Sequence, residues 1–238
     1  MNADRFLKAY NQIDDNLREL LGIERGRWGF AYVVDQAAKR HSVVRRYADD
    51  LKEYGALRNA IVHDRDYPTR VIAEPHIEVV ETLERLVTVI LNPPRVFPLF
   101  SRDVRRLEAD DPVGKLLRFV RQQRYSQFPV FRGHRFVGLL TSRCIAEWLA
   151  DSVTNGSVTF DGVTVEDVLA HGDPKGRDVE FVSKEATWYD AAERFTPGPG
   201  KRRVMLEAIL ITETGRESEQ LLGIITPRDL LSPPGGLS

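Results

Sequence analysis

The feature that most constrains this chain is an internal repeat. Gly138-Leu139-Leu140-Thr141-Ser142-Arg143-Cys144-Ile145 aligns with Gly223-Ile224-Ile225-Thr226-Pro227-Arg228-Asp229-Leu230, a spacing of 85 residues. Each copy follows a strand and a turn. Phe128-Pro129-Val130-Phe131 reads as a strand, Gly133-His134 as its turn, and Phe136 to Leu140 as the return strand. In the second copy, Ala208 to Ile211 is the strand, Thr212 to Gln220 a longer polar turn, and Leu221 to Ile225 the return. The upstream halves match as well: Asp111-Pro112-Val113 opens a helix in the first copy, and Thr187 to Asp190, followed by Ala191-Ala192, opens one in the second. Thr164 to Leu169 reads as a capped helix that closes the first copy. A unit that cannot bury its own apolar face needs its partner, so the two copies are expected to pack together.

Ahead of the repeat, residues 1–92 read as all-helical. Phe6, Leu7, Tyr10, Ile13, Leu17, Leu20 and Leu21 recur at three- and four-residue steps, which draws one apolar helix face. Further stretches carry Trp28, Phe30, Ala31, Val33, Val34 and Ala37; then Val43, Val44, Tyr47, Leu51, Tyr54, Leu57 and Ile61; then Ile77, Val80, Leu83, Leu86, Val87 and Ile90. Breaks fall at Gly22 to Gly26 and at Asp64 to Thr69. Four amphipathic helices with short connections predict an up-and-down bundle. Asn92-Pro93-Pro94 ends it, because proline cannot continue a helix. The expected class is α+β: a helical bundle over 1–92, a first β-α-β-β-α module over 97–170 and a second over 171–238.

The apolar-Pro-Val strand, the turn, Gly-apolar-apolar-Thr and the acid three residues on resemble the CBS pair family, over about 140 residues. The resemblance implies two modules packed about a pseudo-twofold axis, with adenosine-type ligands in the cleft between them. It implies that Thr226 and Asp229 hold ribose hydroxyls; Gly223 and Arg228, in the same element, are further candidate contacts. In the first copy Thr141 matches, with Ser142 next to it as a further candidate contact, but Cys144 stands where the acid belongs, so one ligand per pair is expected rather than two. The residue types suit that chemistry. Glycine lets backbone come close to a ligand. A carboxylate accepts two hydroxyls, and free N–H groups at a helix start favour phosphate. Lys201, Arg202 and Arg203 are a basic cluster beside the Gly- and Pro-rich loop 197–200, placed to contact phosphates or simply to be solvated.

A second reading of Thr226-Pro227-Arg228-Asp229 stays open. Thr as N-cap, Pro at the first helical position and an acid at the third are a good helix start in their own right. Such capping stabilises by about 1 kcal/mol and needs no ligand.

In the bundle, Leu57-Arg58-Asn59-Ala60-Ile61-Val62-His63 resembles the Arg-x4-His motif of HEPN domains, small helical bundles that usually dimerise. The resemblance covers about 85 residues. It implies, in catalytic members, metal-independent RNA cleavage by Arg58 and His63 of two protomers, with Asn59 orienting either group. Histidine moves protons near neutral pH, and arginine stabilises charge developing on phosphate. Arg45, Arg46, Arg65 and Arg70 add local positive charge. Against this, five residues on a regular helix turn the side chains about 140° apart, and a His near a helix C-terminus is favourable through the helix dipole alone.

Composition narrows the rest. Lys plus Arg number 34 against 35 Asp plus Glu, a net charge of −1, so nothing pulls the whole chain toward nucleic acid or membrane. A single cysteine, no visible signal peptide and no apolar run of about 18–20 residues predict a cytoplasmic protein without a membrane span. The five histidines show no HExxH, and there is no P-loop and no G-x-S-x-G elbow, so neither a metal site nor P-loop hydrolysis is expected. The expectation is a homodimeric regulator whose repeat pair senses an adenine nucleotide and whose bundle dimerises or binds a protein or RNA partner. The alternative is a HEPN-type ribonuclease under nucleotide control. No cofactor is required by either.

Overall fold

The 3.6-residue period of the N-terminal sequence becomes α1 (Asn2–Leu21), which buries Ala3, Phe6, Ala9, Tyr10, Ile13 and Leu17. It stops at Gly22, whose φ of 65° is open to glycine and strained for most other residues. There the Gly22 N–H donates to the Glu19 carbonyl and the Ile23 N–H to that of Arg18, the Schellman arrangement. The computed structural model describes residues 1–62, 73–123, 126–153, 157–172, 178–196, 206–231 and 234. The chain falls into two compact units.

The first unit holds Met1–Pro94 and also Thr187–Glu193. After α1 come α2 (Phe30–Ala38), α3 (Ser42–Arg46), α4 (Ala48–Ile61) and α5 (Ile77–Leu91). α1 packs on α5 and α2, and α2 on α4. α5 presents Val80, Leu83, Leu86, Val89 and Ile90 to the core. The third expected helix is two helices, divided at Tyr47, whose φ of −108° and ψ of 19° are not helical. Its ring meets Tyr189 edge-on, 5.9 Å between centroids, and the two hydroxyls lie 3.3 Å apart. Nearby, the Ser42 hydroxyl donates to Asp190 at 2.6 Å and Arg45 pairs with Glu193. The expected break at Asp64 to Thr69 lies outside the described residues.

The second unit holds Arg95–Ala186 and Arg194–Leu231. It opens with the single turn α6 (Val96–Leu99) and then runs β1 (Leu107–Glu108), α7 (Val113–Gln123), β2 (Gln127–Arg132), β3 (Arg135–Thr141), α8 (Ser142–Ser152) and α9 (Val165–Leu169). The order restarts with β4 (Val179–Ser183), α10 (Trp188–Phe195, most of which belongs to the first unit), β5 (Ala208–Thr212), β6 (Gly223–Ile225) and a 3-10 turn, Pro227–Leu230. The sheets β1-β2-β3 and β4-β5-β6 share one topology: the first pair is parallel, the second antiparallel. Their glycines also occupy matching registers, Gly138 opposite Val130 and Gly223 opposite Ile211. The expected turn at Gly133 has a φ of 61°.

Alternation along β3 explains how the modules pack. Leu140 points into the core of its own module with Leu107, Leu116, Phe128, Val130, Ile145 and Trp148. Its neighbour Leu139 faces the other way, into a cluster with Val179, Ala208, Leu210 and Ile224 of the second module. Phe136 and Phe181 seal this seam edge-on, with centroids 5.1 Å apart.

Candidate ligand site at the second repeat

Among the described residues, four helix starts use one device, a threonine paired with the residue three further on. At Thr164, Thr187 and Thr226 the threonine N–H and hydroxyl both donate to a carboxylate oxygen three residues on, at 2.8 Å in every case: Asp167, Asp190 and Asp229. Oδ2 of Asp229 is therefore a structural atom. The capping reading of this motif is realised, and it uses only half of the carboxylate.

The other oxygen separates Asp229 from Asp190. Oδ1 of Asp190 accepts from Ser42, whereas Oδ1 of Asp229 lies 3.0 Å from the Arg102 guanidinium. Asp229 lines a cavity of about 200 Å³ with Thr226, Arg228, Ile224, Ser126, Gln127 and the segment Arg102 to Arg105. Burial pushes the Asp229 carboxyl up, but the two bonds from Thr226 and the pairing with Arg102 outweigh it. The net effect holds the group below the ordinary 3.8, so it is an anion at neutral pH.

Gly223 has a different neighbour from the one expected. A side-chain carbon there would stand 2.3 Å from the Phe100 carbonyl oxygen, so the room that glycine leaves is filled by protein backbone. Ser101 forms a bridge to Gly223, and the Arg102 N–H donates to the Leu222 carbonyl at 3.4 Å. This close approach carries Arg102 to Asp229. Arg102 carries no mark in the sequence: it lies outside the repeated motif, and its partner is distant in the chain.

The fourth helix start is the first copy. Here Cys144 takes the acid's place: its N–H donates to the Thr141 hydroxyl oxygen at 3.3 Å, and its sulfur lies 3.2 Å from that oxygen. Thr141 is 6% exposed and Cys144 1%, the latter within the apolar core of its module, while Ser142 is exposed. Neither buried group can offer an oxygen to a ligand. Cys144→Asp is expected to lower stability by about 3 kcal/mol, since one carboxylate oxygen would face apolar side chains. It should create no second ligand site; denaturant unfolding and titration calorimetry check both parts.

In the helical unit, Arg58 and Asn59 sit together, with the Arg58 guanidinium donating to the Asn59 side-chain oxygen at 3.3 Å. Both line an open cleft of about 620 Å³ with Tyr10, Arg18, Trp28 and Lys52. His63 lies outside the described residues, as do Lys201, Arg202 and Arg203. Among the described residues no helix is long and apolar enough to cross a membrane, and no cluster of His, Cys, Asp and Glu could hold a metal ion.

Residues 97–151 match the family model described as CBS domain. This segment is a CBS domain. It contains β1 to β3 and most of α8, and the second module repeats its strand order. Among solved structures, the CBS domain of a bacterial CNNM/CorC family Mg2+ transporter is similar over 80% of this chain and 96% of its own, at 16% identity and a TM-score of 0.46. The same kind of domain in complex with ATP is similar over 63% and 92%, at 19% identity and a TM-score of 0.43. The CBS domain of a putative transporter from Clostridium difficile 630 is similar over 60% and 94%, at 16% identity and a TM-score of 0.40. No curated protein matches the chain.

Proposed function

We propose that the two modules form a CBS pair that senses an adenine nucleotide, and that the helical unit dimerises or binds a partner in response. The observation that carries this reading is the divided carboxylate of Asp229. One oxygen builds the helix start, and the other faces a cavity in company with Arg102, Arg105 and Arg228. An anionic acceptor suits paired ribose hydroxyls, and the arginines around it suit phosphate. The CBS domain identity of residues 97–151 supports the same assignment. The buried Thr141–Cys144 pair supports one site per chain rather than two.

Control of the helical unit requires that the nucleotide bind one arrangement of the protein better than another. The direct test is titration calorimetry of the full chain with AMP, ADP, ATP and S-adenosylmethionine. At least one is expected to bind one per chain with a Kd below about 1 mM, a binding free energy of roughly −4 kcal/mol or better. If none of the four gives heat or a shift in melting temperature, the sensor reading is wrong.

A further inference from the structure

Oδ2 of Asp229 is committed to Thr226, so a ligand hydroxyl can be accepted only at Oδ1. That atom already has a partner, Arg102 at 3.0 Å. The cavity left beside the pair, about 200 Å³, is smaller than the roughly 300–1,000 Å³ of typical ligand pockets. Arg102 therefore occupies the acceptor that a ligand hydroxyl would need. The pairing is weakly held. The Arg102 side chain is 41% exposed, and a half-solvated ion pair contributes little. Its backbone, by contrast, is fixed, through the bridge of Ser101 to Gly223 and the bond to Leu222. The guanidinium can swing while its anchor stays at the cavity rim.

We infer that Arg102 is the residue that makes this site prefer a phosphorylated ligand to a nucleoside: it pairs with Asp229 and transfers to the ligand's phosphate when ribose hydroxyls take its place. This rests on the adenine-nucleotide reading above. A nucleoside must displace Arg102 and leaves it with water. A nucleotide displaces it and returns a better partner, because phosphate offers a guanidinium two parallel charge-assisted bonds. Arg102 thus penalises one class of ligand and rewards the other.

The two roles give opposite signs when the side chain is removed. Calorimetry of the full chain with adenosine and with AMP, on the wild type, Arg102→Ala and Arg102→Lys, reads both. Arg102→Ala is expected to bind adenosine tighter, by up to about fivefold, as an exposed ion pair allows. The same variant is expected to bind AMP about tenfold or more weaker, the loss of a charge-assisted contact. Arg102→Lys keeps the charge without the planar fork and falls between them. If adenosine and AMP change by the same factor in the same direction, or neither changes, Arg102 does not discriminate and the inference is overturned while the nucleotide reading stands. If neither ligand binds the wild type and no other adenine nucleotide does, both fall. Melting temperatures of the two variants within a few degrees of wild type show that the readout is binding and not unfolding.

Discussion

Replacing Gly223 by alanine is expected to destabilise the protein by about 3 kcal/mol, at the upper end of what forced overpacking costs. The added carbon would stand 2.3 Å from the Phe100 carbonyl oxygen and 3.1 Å from its carbon, and both are backbone. Backbone cannot rotate away as a side chain can, so either β6 or the segment 100–102 must move. Moving the segment also withdraws Arg102 from Asp229, so ligand selectivity should change along with stability. For a chain of this size, 3 kcal/mol corresponds to a fall in Tm of roughly 6–12 °C. Gly138 provides the internal control. It occupies the matching register of the first copy, but the nearest atoms to a carbon there would belong to the Leu169 side chain, at 3.2 Å. Leu169 can give by a few tenths of an ångström, so Gly138→Ala is expected to cost under about 1 kcal/mol. Thermal unfolding of the two variants side by side decides it. Equal losses would mean that the contact with Phe100 is not what requires glycine at 223.

The contrast between these glycines shows what the sequence could and could not reveal. The repeat was legible because strand, turn and capped helix are local, and each leaves a local mark: alternating apolar residues, Gly133, and Thr at the capped helix starts. The two β-α-β-β units follow from those marks. The break at Tyr47 was not legible, since no Gly or Pro announces it; its ring meets Tyr189, far along the chain, a tertiary contact that leaves no local mark. Thr187–Glu193, in the same contact region, groups with the helical unit. Whether Thr226 and Asp229 were a cap or a ligand site could not be decided locally, because Thr164–Asp167 and Thr187–Asp190 spell the same cap. The distinction lies in what surrounds the second carboxylate oxygen, and that depends on Arg102.

Asp229→Asn separates the two halves of the carboxylate. The asparagine oxygen can still accept from the Thr226 N–H and hydroxyl, so the helix start should survive. The amide nitrogen would then occupy the Oδ1 position and present donors where a ribose hydroxyl or Arg102 needs an acceptor. Losing charge-assisted bonds of about 1.5–3 kcal/mol is expected to weaken nucleotide binding by at least tenfold and by up to about a hundredfold. The change in stability at neutral pH should stay near 1 kcal/mol or less. Asp167→Asn, which alters the same cap but lies in the other module, should leave binding untouched. The pH dependence supplies a second signature. The Asp229 carboxyl titrates below its ordinary 3.8 in the folded protein, so its stabilising contribution is complete above that value and is lost as pH falls through the folded value. Asparagine does not titrate, so wild type and Asp229→Asn should converge in stability as the pH drops through the acid range and diverge again above it. Binding that persists undiminished in Asp229→Asn would leave this acid as a cap alone and move the ligand elsewhere.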